Sequence, residues 1–247
     1  MDTEFSDIKW ITVINDDNYR RLGVKIRNII SGNDGDVGIA YITEMILKTK
    51  ISPICVDIGV DQGWWTFFVN DTNENAKILS FEPNPISYSS LLTLIKNDPR
   101  ITLYNIAISN HDGALPFVVS SGNSHSRNPD STLSVKCKQI DSYIENKYID
   151  IMKIDTEGHE IHILQSLRKH YHKIETIIFE FTSYWYKDIE EARQELLYIL
   201  KVYPHVYYIN RVGPPEYTDI TKESLDEFME INMTIQYDIL ATRLVFE

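Results

Sequence analysis

Cysteine is almost absent from this chain: Cys55 and Cys137 are the only two in 247 residues. Two thiols so far apart build neither a disulfide framework nor a zinc site, and they suit a reducing compartment. Positive charge is scarce as well. Lys and Arg number 24 against 36 Asp and Glu, a net charge of −12. No basic stripe offers a footprint for a phosphate backbone, so DNA and RNA are not expected partners. Long apolar runs are missing too. Nothing approaches the roughly 20 residues that span a bilayer, and the acidic start MDTEFSDIKW has no apolar signal core. These absences predict a cytoplasmic protein with no membrane span. With 43% hydrophobic residues, the chain can still build one sizeable core.

The apolar residues recur in a regular order. ICVDIG (54–59), AKILSFE (76–82) and ITLYNIAIS (101–109) suit parallel strands buried on both faces. Between them, WWTFFVN (64–70) and PISYSSLLTLIKND (85–98) carry helical spacing. Pro85 stands near the start of the second helix and Pro99 just beyond its end. IDIMKID (149–155) and IETIIFEF (174–181) are further strands. TEGHEIHILQSLRKH (156–170) between them predicts a helix with Ile161, Leu164 and Leu167 on one face and a basic last turn. His159 is expected on its solvent side. IEEARQELLYILKVY (189–203) is another helix, and HVYYIN (205–210) with YDILATRLVF (237–246) an antiparallel closing pair. The pattern predicts an α/β fold, a doubly wound, mostly parallel seven-stranded sheet. ALPFVVS (114–120) and TLSVKCKQI (132–140) predict a two-strand insertion, with SGNSHSRNPDS (121–131) as the loop between them. Residues 1–50 read as an N-terminal helical cap ahead of a domain over 51–247.

The first strand breaks into Asp57, Gly59 and Gly63. In doubly wound sheets, ligands bind beyond the strand ends where strand order reverses. Glycines there let a ligand approach the backbone, and the next helix offers free N–H groups to an anion. The same glycines could do no more than shape a turn. The second strand ends at Glu82, an acid placed to accept hydrogen bonds from a ribose diol. Thr66, in the helix after the glycines, and Asn84, just past Glu82, flank these two ends. A dinucleotide site wants G-x-G-x-x-G, whereas this loop reads D-x-G-x-x-x-G. Asp57 would repel a pyrophosphate and favour a sulfonium with its α-amino group. That chemistry favours S-adenosylmethionine over a dinucleotide.

Four blocks also resemble a known family. VDIGVDQGWWT, FEPNPISYSSL, NIAISNHDG and MKIDTEGHEIHILQSL are similar, in order and spacing, to the signature blocks of FkbM-type methyltransferases. The resemblance covers about residues 50–245 and weakens after Tyr184. It implies a class I, Rossmann-like fold, S-adenosylmethionine as cofactor, and O-methylation of a sugar hydroxyl. By position it implies Asp57, Gly59 and Gly63 at the methionine end, Glu82 on the ribose, and Asn105 and Ile106 near adenine. Where the family commonly has Ala-Asn, this chain has Val60-Asp61, which adds negative charge near the methionine carboxylate.

Methyl transfer to oxygen needs an aligned hydroxyl and a group that accepts its proton. Asp155 ends the strand expected beside the first, so it is the leading candidate for base or electrostatic partner, with Glu157 second. Capping the next helix is the competing role for Asp155. Glu180, at the next strand end, could bind a substrate hydroxyl, share a Mg²⁺ with Asp155, or simply pair with a nearby cation. Tyr184 and Trp185 in TSYWY offer aromatic faces to a sugar or pack a loop. His125 and Arg127 sit in a segment that could close over the acceptor. The sequence thus predicts a carbohydrate O-methyltransferase. The alternatives are a methyltransferase for a non-sugar small molecule or nucleic acid, and an inactive cofactor-binding scaffold.

Overall fold

The computed structural model describes residues 21–22, 25, 36–119, 124–125, 133–211, 216–231 and 236–245. The chain runs through α1 (Val37–Lys48), β1 (Ile54–Ile58), α2 (Trp64–Thr72), β2 (Lys77–Phe81), α3 (Pro85–Ile95) and β3 (Ile101–Tyr104). Next come β4 (Ala107–Ile108), β5 (Gly113–Val119), β6 (Ser124–His125), β7 (Leu133–Lys138), α4 (Asp141–Ile144) and β8 (Ile149–Ile154). It ends with α5 (Glu160–Leu167), β9 (Ile174–Phe181), α6 (Ile189–Val202), β10 (His205–Asn210), β11 (Tyr217–Asp219), α7 (Leu225–Ile231) and β12 (Tyr237–Thr242).

The main sheet has the spatial order β11-β10-β12-β9-β8-β1-β2-β3. β3, β2, β1, β8 and β9 are parallel, and β12, β10 and β11 add antiparallel to one another at one side. This is the expected Rossmann-like α/β fold with a mostly parallel main sheet. The short strand β11 brings the expected seven strands to eight. The insertion forms its own sheet, β4-β7-β5-β6, in which β4 and β6 of two residues each flank the two expected strands. α1 supplies a helix of the expected cap. Most of residues 1–35 lie outside the described residues.

Both faces of the parallel strands are apolar because both are covered. Cys55, Ile78, Ile151, Ile178 and Leu240 pack against Ile39, Ile42 and Ile46 of α1 and Trp65 and Val69 of α2. The alternate residues Val56, Leu79, Met152, Ile177 and Phe179 pack against Ile161 and Leu164 of α5 and Leu196 and Ile199 of α6. Each such side chain contributes about 1.5–3 kcal/mol of burial, so the sandwich fixes the strand register. The register then positions the site. Period two continues the α1–α2 face past the core, from Cys55 to Asp57, from Ile78 to Ser80 and Glu82, and from Ile151 to Lys153 and Asp155. On the neighbouring strands it reaches Glu180 and Asp238. Asp57 lies in register with Lys153, and Glu180 with Asp238. One row of polar groups therefore crosses the sheet at the C-terminal ends of its parallel strands.

Two expected elements differ. The apolar run 101–109 divides into β3 and β4, because Asn105 turns to donate its side-chain amide to the carbonyls of Glu82 and Pro83 at 2.8 and 3.1 Å. The helix expected over 156–170 begins only at Glu160 and ends at Leu167. Glu157 (φ +56°) and Gly158 (φ +103°) are left-handed and incompatible with its first turn. The buried Glu160 carboxylate holds that loop, accepting the N–H groups of Thr156 at 2.8 Å and Gly158 at 3.0 Å.

Candidate active site

Strand order reverses between β1 and β8, and a cleft of about 410 Å³ opens at their C-terminal ends. Its walls carry Asp36, Asp57, Asp61, Glu82, Asp155 and Glu157 against two cations, Lys153 and Arg211. The acid excess gives the cleft a negative field, which favours a cationic ligand over a polyanion.

At one end stands Glu82, 4% exposed. Its two oxygens accept the backbone N–H groups of Asn84 and Asp61, each at 2.7 Å. A carboxylate oxygen can accept more than one hydrogen bond, so capacity remains for a diol. Burial pushes its pKa up to about 7, against the two N–H groups that favour the charge. The Val60-Asp61 departure thus has a local outcome: Asp61 (φ +49°) gives its N–H to Glu82. Glu82→Gln is expected to weaken S-adenosylmethionine binding by about 10- to 100-fold, the worth of charged hydrogen bonds. The ionised form serves the diol better. Calorimetry in buffers of different ionisation heat should therefore show release of roughly half a proton near pH 7, absent in Glu82→Gln. Proton-neutral binding in the wild type would remove Glu82 from the ribose.

Asp57 is 1% exposed and forms the floor. Thr66 Oγ1 donates to Asp57 Oδ2 at 2.7 Å and shares a 2.9 Å hydrogen bond with Ser80. Oδ1 is buried and has no hydrogen-bond partner among the described residues. Burial pushes the Asp57 pKa up to about 6. Thr66 itself is fully buried, so it acts through Asp57. Gly59 and Gly63, at φ +85° and +93°, do shape the turn. A Cβ on Gly59 would stand 1.8 Å from the Asp155 carbonyl oxygen, and one on Gly63 2.8 Å from Leu91 Cδ2. Gly59 also lines the cleft, so turn and ligand wall coincide there.

At the other end, Asp155 receives a hydrogen bond from Lys153 Nζ at 3.0 Å. Burial opposes its charge, but Lys153 and then Arg211 more than offset this and hold its carboxyl below the usual range. Asp155 does not cap α5: the N-cap position is His159, and no side chain caps there. Glu180, 1% exposed, lies on the neighbouring strand. Burial first, then the Asp155 charge, push its carboxyl well above the usual range. Arg211 reaches Glu180 Oε1 at 3.3 Å and clamps Asp238 with two hydrogen bonds of 2.6 and 2.8 Å. Glu180 thus has the cation partner that the sequence left open. Carboxylate oxygens of Asp155, Glu157 and Glu180 lie within 4.8 Å of one another.

The remaining candidates are more scattered. Asn84 accepts the Ile86 N–H at 3.0 Å and caps α3, and Asn105 holds the end of β2. Ile106 lines a small apolar recess with Phe81, Pro83 and Phe117, contiguous with the cleft. Trp185 lines a second cavity of about 320 Å³ beside α5, whereas Tyr184 is exposed. His125 falls in β6, and Arg127 lies outside the described residues. His159 corrects the expectation of a solvent-facing side chain. It stacks on His162 and shares a 3.0 Å hydrogen bond with Ser109, because α5 begins one residue later and turns the ring inward. Burial, then His162 and His111, push its pKa down to about 3.

A model of the methyltransferase FkbM domain matches residues 57–205. The chain belongs to the FkbM methyltransferase domain family. One curated relative is the hexuronic acid methyltransferase AglP of Haloferax volcanii, 22% identical over 112 residues, or 42% of this chain and 47% of that protein. The chain thus spans about half the length of the curated relative it matches. Similar solved structures include a precorrin-6y C5,15-methyltransferase from Geobacter metallireducens, at 11% identity and a TM-score of 0.44 over 87% of this chain and 90% of that one. Another is a SAM-dependent O-methyltransferase from Thermotoga maritima, at 10% identity and a TM-score of 0.46 over 85% and 66%.

Sequence reasoning on this FkbM domain missed Lys153, Arg211, Asp238 and Asp36. Lys153 and Asp238 left a signal, a charged residue inside an otherwise apolar strand run, which calls for a buried partner. Arg211 left none. It reaches the site only because β10 pairs with β12, and β12 with β9. Among the described residues, no helix is long and apolar enough to cross a membrane.

Proposed function

We propose that this protein transfers a methyl group from S-adenosylmethionine to a hydroxyl of a carbohydrate, as a nucleotide sugar, a lipid-linked sugar or a glycan. The cofactor, when bound, supplies an electrophilic methyl group on a cationic sulfur. The observation that carries the reading is one cleft with Glu82 at one end and Asp155, hydrogen-bonded by Lys153, at the other. Glu82, Asp57 and the Gly59 turn line that cleft and fit the cofactor, Glu82 with acceptor capacity to spare and Asp57 with a buried oxygen that has no partner among the described residues. Asp155 then accepts a hydrogen bond from the acceptor hydroxyl and takes its proton as the C–O bond forms. The hexuronic acid relative supports a sugar acceptor.

Asp155, Glu157 and Glu180 supply the hard oxygens that Mg²⁺ takes. Lys153 and Arg211 already balance Asp155 and Glu180. Transfer from methyl-labelled S-adenosylmethionine to a panel of sugars, nucleotide sugars and glycosides tests the function, with and without chelator. The expected result is labelled methyl ether that survives chelation. Chelator-sensitive transfer would assign Mg²⁺ to the three carboxylates. Cofactor binding with no transfer to any hydroxyl would favour the scaffold reading.

A further inference from the structure

Lys153 is a cation in an improbable place. It interrupts the apolar strand β8, is 3% exposed, and lies at the floor of the cleft. An ammonium carries three N–H donors. Asp155 Oδ2 takes one at 3.0 Å, and among the described residues no other acceptor is in hydrogen-bond range. The Trp64 ring covers another side, its centroid 5.7 Å from Nζ. Asp57 and Asp36 face the same ammonium through their charges. Buried donors left without acceptors are costly, so this group awaits an acceptor from the cleft. Beside it, in register on β1, Asp57 leaves the opposite gap, a buried acceptor oxygen without a donor.

A cationic donor with hydrogen bonds to spare, next to a buried acceptor oxygen that has no donor among the described residues, complements an α-amino acid zwitterion. We propose that Lys153 anchors the α-carboxylate of the cofactor's methionine end, with Asp57 Oδ1 receiving the α-ammonium. The inference rests on the reading of the cleft as an S-adenosylmethionine site.

The test is calorimetric and needs no turnover. S-adenosylmethionine and its decarboxylated analogue, which lacks only the α-carboxylate, are titrated into wild type and Lys153→Gln. Wild type should favour the intact cofactor by about 10- to 100-fold, the worth of charged hydrogen bonds. Lys153→Gln should lose that preference by weakening the intact cofactor alone. Equal weakening of both ligands would overturn the proposal and make Lys153 a partner of Asp155 only. Wild type that binds the two ligands alike would overturn it without any variant. If Lys153→Gln does not fold, Lys153→Arg keeps the buried charge and should keep the preference, and its loss in a folded protein would count against the anchor. Wild type that binds neither ligand would instead sink the cofactor reading itself.

Discussion

Asp155→Asn is expected to slow methyl transfer by roughly 10²–10⁴-fold, the range of general acid–base help, while S-adenosylmethionine affinity stays near the wild-type value. Burial opposes ionisation, and Lys153 at 3.0 Å with Arg211 behind Glu180 reverses that preference. A carboxylate held ionised so firmly is a weak base toward a neutral hydroxyl. It need not be a strong one. Once the methyl group has moved, the protonated ether oxygen is a strong acid, and a weak base in contact with it takes the proton. On the proposed mechanism Asp155 orients the hydroxyl before transfer and accepts the proton late. Asparagine keeps the shape and offers no charge. Its amide also leaves Lys153 without its hydrogen-bonded counter-ion. Single-turnover rates, measured alongside calorimetric cofactor affinity, separate the two effects. A fall in affinity that matched the fall in rate would make Asp155 part of the cofactor site. Unchanged turnover would pass the role to Glu157, whose left-handed backbone (φ +56°) aims it into the same cleft.

The parts of this site legible in the sequence are those written in a short window. ICVDIG, AKILSFE and IDIMKID each announce a buried strand, with Asp57 near the end of the first and Glu82 and Asp155 closing the others, so their place along the cleft follows from apolar periodicity and strand-end logic. The less legible parts depend on pairing across the sheet. Arg211 stands 31 positions from Glu180, and nothing near it in the sequence is unusual. Only the antiparallel entry of β12 between β9 and β10 brings them together. His159 failed for a different reason. A helical wheel drawn from Thr156 puts it on the outside, but the wheel does not apply before Glu160. The turn preceding that residue is tied by the Glu160 carboxylate to two backbone N–H groups. The signal was present as a glycine, since Gly158 in TEGHE is a poor interior residue for the helix drawn through it.

Gly59→Ala is expected to destabilise the protein by about 2–5 kcal/mol, the sum of a left-handed backbone for a non-glycine residue and a clash in packed surroundings. For a chain of this size that corresponds to a melting temperature lower by roughly 5–15 °C. The added Cβ would meet backbone: the Asp155 carbonyl oxygen at 1.8 Å and its carbon at 2.8 Å. Backbone at the end of β8 cannot swing aside as a side chain does, and the Asp155 N–H already bonds the Ile58 carbonyl at 2.9 Å across the same gap. Relief would have to part β1 from β8 where Asp57, Lys153 and Asp155 converge. Cofactor affinity should therefore fall together with stability. Gly63→Ala is the control. Its φ of +93° is as unfavourable, but its Cβ would meet Phe67 Cε2 at 2.7 Å and Leu91 Cδ2 at 2.8 Å, the far ends of side chains that can rotate. It should cost only about 1–2 kcal/mol, mostly the backbone term. Thermal melts of the two variants, with and without S-adenosylmethionine, compare them directly. Equal costs would mean that backbone conformation alone selects glycine at position 59. The expected gap would mean that glycine there lets two strand ends close to within contact and bring the cofactor end and the proton acceptor into one cleft.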